Sequence, residues 1–185
     1  KKYLNNRKNK KKFKLNILNK RFKNFEENKI NIFMFDAKKN ISKLERIKKS
    51  LTFLKDYKNI GVNYGDAICN IDIKQVYKKF LKNDLNAIMS VTTMKSPFGH
   101  VIIKNKTIKN FKEKPDLPHP TNIGYYFFKS SSIIKYNKKN SELETSFLNA
   151  QIKEKKLGFY FHRGYFHTVN HKQDLINIKL IEKKF

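Results

Sequence analysis

Gly65 and Asp66 follow a short apolar run, residues 60–64, inside the stretch VNYGDAICNIDI at 62–73. An apolar strand ending in Gly-Asp carries a carboxylate to the C-terminal edge of a sheet, where open α/β sheets take ligands. Gly65 lets the backbone turn sharply and leaves no side chain in the approach. A carboxylate so placed can present a metal ion to a phosphate-bearing ligand. An ordinary turn aspartate has the same local pattern.

The elements that must hold Asp66 can be read on either side of it. Asp72 stands where a helix N-cap belongs and predicts a helix over 73–82, with Val76, Phe80 and Leu81 turned inward. Residues 41–54 place Ile41, Leu44, Ile47, Leu51 and Leu54 on one helical face. Strands are expected at 30–35, 60–64, 87–94, 98–103, 107–111, 122–128 and 159–161, the pair at 98–103 and 107–111 joined by the polar turn 104–106. Residues 112–120 carry three of the four prolines and read as a loop. Residues 130–136, 142–155 and 173–185 read as helices. Strands and helices alternate early and antiparallel-looking strands follow. This predicts an α/β fold: a mixed, mostly parallel Rossmann-like sheet flanked by helices. Residues 1–29 form a basic segment before a domain spanning 30–185.

With 185 residues, one domain with one core is expected. Lys and Arg number 42 against 15 Asp and Glu, leaving a formal charge of +27. Such a field attracts phosphorylated ligands, nucleic acid or anionic surfaces. The lysines are scattered through the chain, and abundant Lys, Asn, Ile and Phe with no Trp is the composition expected of AT-rich coding. The single cysteine, Cys69, excludes an internal disulfide framework and fits a reducing compartment. No apolar run approaches the roughly 20 residues of a membrane span, and no signal peptide is visible, so the cytoplasm is the expected setting. The first residue is Lys1, not Met, consistent with a fragment or a trimmed start.

Further along, several motifs fall in order: YGD at 64–66, PFGHVII at 97–103, FKEKP at 111–115, NIGYYFF at 122–128, LE at 143–144 and GYF at 164–166. This series resembles the sugar-phosphate nucleotidyltransferases (NDP-sugar pyrophosphorylases). Glucose-1-phosphate cytidylyltransferase is the nearest in pattern, and mannose- and heptose-phosphate guanylyltransferases come a near second. The resemblance covers residues 35–185. It implies nucleotidyl transfer from a nucleoside triphosphate to a sugar 1-phosphate, in nucleotide-sugar and surface-polysaccharide synthesis, with Mg²⁺ as cofactor.

By position in these motifs, Asp66 is the Mg²⁺ carboxylate and Lys114 approaches the sugar phosphate. Glu113, Asn122 and Glu144 are expected on sugar hydroxyls. Tyr64, Gly65, Gly99 and Gly124 complete the substrate surface. Two departures stand out. The family's Gly-rich G-x-G-T-R loop, whose amides hold the triphosphate, has no counterpart, so the chain is expected to be N-terminally truncated and inactive alone. The second metal carboxylate is replaced by Asn170, or by Thr168 in an alternative alignment; Asp174 is nearby. His162, His167 and His171 sit in the same region, but a strand edge holds three histidines without a metal.

Two other classes remain open. One is a degenerate, non-catalytic module that binds a sugar phosphate or a partner. The other is a basic RNA-binding protein, disfavoured by the even scatter of lysine. A homo-oligomer is open as well.

Overall fold

The computed structural model describes residues 13–14, 31–32, 40–174 and 176. The strands β1 (Phe13–Lys14) and β2 (Asn31–Ile32) pair antiparallel. The other expectations on residues 1–39, and most of the helix expected over 173–185, lie outside the described residues.

The helix α1 (Lys43–Leu51) begins where Ser42 caps it, its hydroxyl accepting from the Glu45 amide at 3.2 Å. Leu44, Ile47 and Leu51 recur at helical spacing and are buried, as the sequence pattern requires. Next come β3 (Asn59–Asn63) and the short β4 (Ala67–Cys69). The helix α2 (Ile73–Lys82) is capped by Asp72, whose carboxylate accepts from the Gln75 amide at 3.0 Å. Val76 and Phe80, one turn apart, are buried. Leu81, expected inward, is 54% exposed, because it follows Phe80 by about 100° of helical rotation and so leaves the buried stripe.

The strand β5 (Ala87–Thr92) is followed by the ribbon β6 (His100–Lys104) and β7 (Thr107–Lys112), then by the long β8 (Thr121–Lys129). Asn105 and Lys106, between β6 and β7, both have positive φ (51° and 65°), the twist that two-residue hairpins require. After β8 come α3 (Ser130–Lys135), a π-helical turn (Leu143–Leu148), α4 (Asn149–Lys153), β9 (Leu157–Phe161) and β10 (Phe166–Thr168).

The main described sheet has the order β3-β8-β5-β9. β8 runs antiparallel to both β3 and β5, whereas β9 runs parallel to β5. Three of the four strands therefore point the same way, and the sheet is mixed. Among the described residues β3 is an edge strand, with Ile60 buried and Gly61 and Asn63 exposed.

Side-chain alternation splits the core into two layers. Tyr126 and Phe128 face α1, α3 and the π-helical turn, packing with Leu44, Ile133 and Phe147. Phe127 and Ile88 face the opposite way, against Val76 and Phe80 of α2. Helices thus cover both faces, which fixes the ends of β3 and β8 in place.

Two strands were not visible in the sequence as such. β4 lies where a plain loop was expected, and β10 begins at Phe166, two residues beyond Gly164. They pair antiparallel, Ala67 opposite Thr168 and Cys69 opposite Phe166. Neither is long enough to show a period.

Candidate functional site

Tyr64, the residue immediately after β3, is the hub of a polar network. Its hydroxyl bonds the Glu144 carboxylate and lies 3.1 Å from the Tyr126 hydroxyl. The Lys43 ammonium pairs with the same Glu144 oxygen, lies 3.4 Å from the Tyr64 hydroxyl, and stands 4.5 Å from the centre of the Tyr64 ring. Asn122 donates its amide to the Tyr126 hydroxyl. Side chains from α1, the turn after β3, β8 and the π-helical turn are thereby joined.

The local chemistry explains how Asn122 and Gly124 reach this arrangement. Between Met89 and Val91, which pair with Tyr126 and Asn122, β8 holds two extra residues and bulges. Gly124 sits in that bulge at φ +77°, and the Asn122 side chain accepts from its amide at 2.9 Å. The Gly124 carbonyl accepts from the Tyr64 amide at 3.0 Å. A Cβ on Gly124 would lie 2.7 Å from the Tyr64 ring, so both backbone angle and close approach call for glycine here.

Burial, and then the bond to Glu144, push the Tyr64 phenol well above its usual pKa. Tyr126 is pushed up by burial. Partial burial works to raise Glu144, but the bonds from Lys43 and Tyr64 outweigh it and hold the carboxyl below its usual range. The cluster at neutral pH is one carboxylate, one ammonium and two neutral phenols.

Beside this network opens a cleft of about 470 Å³, lined by Lys43, Arg46, Asn63, Tyr64, Gly65 and Asp66 with Ile47, Val62 and Leu143 beneath. Gly65 has open space where a Cβ would stand. Asp66 is exposed on the rim, and its carboxylate makes no ion pair among the described residues. The sequence missed Lys43 and Arg46 because nothing distinguishes them from the other lysines and arginines until α1 places them on this cleft.

The β4–β10 ladder brings the second candidate metal position to Asp66. Just beyond the last pair, the Val169 amide donates to the Asp66 carbonyl at 2.8 Å. Thr168 and Asn170 flank that bond, and the Asn170 amide donates to the Thr168 hydroxyl at 3.1 Å. Asp174 serves a different purpose. Its carboxylate accepts from the backbone amides of Asn170 and His171, each at 2.8 Å, and those bonds hold its pKa below the usual range.

Among the described residues, no group of three or more His, Cys, Asp and Glu side chains could hold a metal ion. His162 is buried and spends its Nε2 on the Tyr165 carbonyl at 3.0 Å, away from His167, whose Nε2 lies 3.7 Å from Asp174. One exposed carboxylate does fit a cation that keeps phosphate oxygens and water in its shell, as Mg²⁺ does.

Gly99, Glu113 and Lys114 form a second group. A Cβ on Gly99 would meet the Phe111 ring at 2.5 Å and Glu113 Oε2 at 2.9 Å, so this glycine and this carboxylate are neighbours. The EKP segment is held by the Pro115 carbonyl, which accepts from Ser96 at 2.8 Å, and by the Leu117 amide, which donates to Met94 at 2.7 Å. Lys114 lies in the left-handed region at φ +44° and is exposed, as is Glu113. None of these three lines the cleft beside Asp66.

The nucleotidyl transferase family model matches residues 7–168 of the chain. The chain belongs to the nucleotidyl transferase family. The matched span includes YGD, FKEKP, NIG and LE, and the family expected from the sequence is the one found. A glucose-1-phosphate thymidylyltransferase candidate from Bacillus anthracis, crystallised with sucrose, has the same fold at a TM-score of 0.56 and 19% identity. The similarity covers 82% of this chain and 64% of that one, so the chain spans less than two thirds of this nucleotidyl transferase relative. HddC from Yersinia pseudotuberculosis gives a TM-score of 0.44 at 20% identity, over 78% of this chain and 63% of HddC. Its complex with GMP-PN gives 0.46 over the same shares. No curated protein matches. Among the described residues no helix is long and apolar enough to cross a membrane.

Proposed function

We propose that the cleft beside Asp66 takes a nucleoside triphosphate as its Mg²⁺ complex, and that the chain serves nucleotidyl transfer to a sugar 1-phosphate. The observation that carries this reading is the cleft at Asp66, lined also by Lys43 and Arg46, with the β4–β10 ladder tying residues 166–169 to the segment that begins at Asp66. A phosphate oxygen of the sugar 1-phosphate attacks the α-phosphorus. The new P–O bond forms as the α–β bridging bond breaks, and pyrophosphate leaves with the electron pair. Mg²⁺, when bound, supplies charge neutralisation on the phosphates.

The chain's own residues then have distinct tasks. Asp66 holds the cation, with Asn170 or Thr168 as a neutral neighbour. Lys114 meets the sugar phosphate. Glu113, Asn122 and Glu144 receive sugar hydroxyls. Gly65, Gly99 and Gly124 leave room for ligand or for the Tyr64 ring. The motif resemblance favours cytidine as the base and glucose as the sugar, and the proposed setting is the cytoplasm.

The neutral pair Thr168 and Asn170 favours a second reading, in which the site binds nucleotide and sugar phosphate without turnover. One assay separates the two. Each of the four common ribonucleoside triphosphates is incubated with glucose 1-phosphate and Mg²⁺, and nucleotide-sugar is sought chromatographically, with binding of both substrates measured in parallel. The chain on its own is expected to bind both substrates. CDP-glucose as product selects turnover and overturns the expectation that the chain is inactive alone. Binding without product selects the second reading, and absence of both binding and product removes the nucleotidyltransferase reading for this chain.

A further inference from the structure

Lys43 belongs to none of the motifs that carry the resemblance, yet it stands where two halves of the site meet. Its ammonium pairs with Glu144 over the Tyr64 ring, and the same side chain lines the cleft that ends at Asp66. The pair is not a buried structural tie: the Lys43 side chain is 52% exposed and that of Glu144 33%. Exposed ion pairs of this kind are weak and exchange partners readily. Of the other polar groups of the network, Tyr64 and Tyr126 are neutral phenols and Asn122 is an amide, so among the described residues of the network Glu144 is the one anion facing Lys43. Arg46 lies one turn further along the same helix, also on the cleft, with its Nε donating to the Ile41 carbonyl at 3.3 Å.

A triphosphate entering this cleft offers several charged oxygens where Glu144 offers one carboxylate. We infer that Lys43 is a phosphate-binding residue of the cleft, which exchanges Glu144 for the phosphate chain of the incoming nucleotide. This rests on the nucleotidyltransferase reading of the same cleft. The exchange also releases the Glu144 carboxylate, which becomes free to accept a sugar hydroxyl. One lysine thus couples the nucleotide half of the site to the sugar half.

Magnesium pyrophosphate, which carries the phosphate chain without base or sugar, is the probe. It is titrated calorimetrically into the full chain and into Lys43→Met, Lys43→Arg, Glu144→Gln and Lys49→Met. Lys49→Met removes the same charge from α1 at a position off the cleft. Lys43→Met is expected to weaken pyrophosphate by about tenfold, the loss of roughly 1.4 kcal/mol for one charge-assisted contact. Lys43→Arg restores most of the affinity, Lys49→Met leaves it unchanged, and Glu144→Gln tightens it by removing the competing carboxylate. Thermal melts confirm that each variant is folded. If wild type binds and Lys43→Met binds as Lys49→Met does, Lys43 is not a phosphate ligand and the inference fails while the reading of the cleft stands. If Glu144→Gln leaves pyrophosphate affinity unchanged, the exchange is overturned. If wild type binds no pyrophosphate, the inference and the nucleotidyltransferase reading of the cleft fall together.

Discussion

The Val169 amide donates to the Asp66 carbonyl at 2.8 Å, and this one bond ties the Gly-Asp turn to a segment about one hundred residues away. It extends the three-residue ladder between β4 and β10 and brings the backbone of residues 168–170 to that of Asp66, the one carboxylate among the described residues that line the cleft. The positions proposed for the metal, Asp66 and either Asn170 or Thr168, thus lie on paired segments, one acidic and one neutral.

Restoring the second carboxylate should strengthen divalent-cation binding. Thr168→Asp and Asn170→Asp are compared by Mg²⁺ titration in the presence of pyrophosphate. The variant at the true metal position gains affinity, and the other does not, so the comparison also decides which alignment of this segment is right. No gain from either would show that the ladder does not build a two-ligand site.

Gly124→Ala should destabilise the fold. The left-handed backbone alone costs an alanine about 1–2 kcal/mol, and the new Cβ would press on the Tyr64 ring at 2.7 Å. Because Tyr64 lines the cleft, triphosphate binding should weaken together with the melting temperature. Gly99→Ala is the contrast. Its Cβ would meet the Phe111 ring, but that ring is 59% exposed and can swing aside. The melting temperature should stay close to wild type, and any loss should fall on sugar-phosphate affinity through Glu113.

Tyr64→Phe keeps the ring against Gly124 and removes the hydroxyl that joins Glu144 to Tyr126. A half-buried hydrogen-bond centre of this kind is worth about 1–2 kcal/mol. For a chain of this size that corresponds to a fall of about 2–8 °C in melting temperature, readable by circular dichroism. An unchanged melt would mean that the network contributes nothing net to the fold.

Asp84 accepts from Lys129 at 2.6 Å and from Lys156 at 2.9 Å, and these bonds lower its pKa to about 2. A carboxylate whose folded pKa is depressed stabilises the fold above its unfolded value of about 4 and loses that contribution as pH falls towards 2. Asp84→Asn should therefore melt lower than wild type at pH 6, and the difference should shrink between pH 4 and pH 2. A difference that persists at pH 2 would show that the side chain acts by packing, not by charge.

Much of this was legible before any fold was available. Asp72 as an N-cap, the buried stripe of Leu44, Ile47 and Leu51, and the turn at Asn105 and Lys106 are local features whose physics acts within a few residues. The family was legible too, because YGD, EKP and N-x-G recur in order. What escaped was set by distance along the chain. AIC at β4 and FHT at β10 are three-residue strands with no period of their own, and only their mutual pairing makes them strands. Leu81 is apolar next to Phe80, yet the helix turns it out to solvent. Lys43 is one cation among 42, and its meaning depends on Glu144, which lies 101 positions away.

The most direct test of the account is Mg²⁺-dependent binding of nucleoside triphosphate to the chain, by calorimetry, in wild type and in Asp66→Asn. The Asp66 side chain is exposed and makes no ion pair among the described residues, so the variant should melt as wild type does. Wild type should bind the triphosphate more tightly with Mg²⁺ than without it, and Asp66→Asn should lose that dependence. Equal Mg²⁺-dependent binding by both proteins would contradict the placement of the nucleotide site at Asp66.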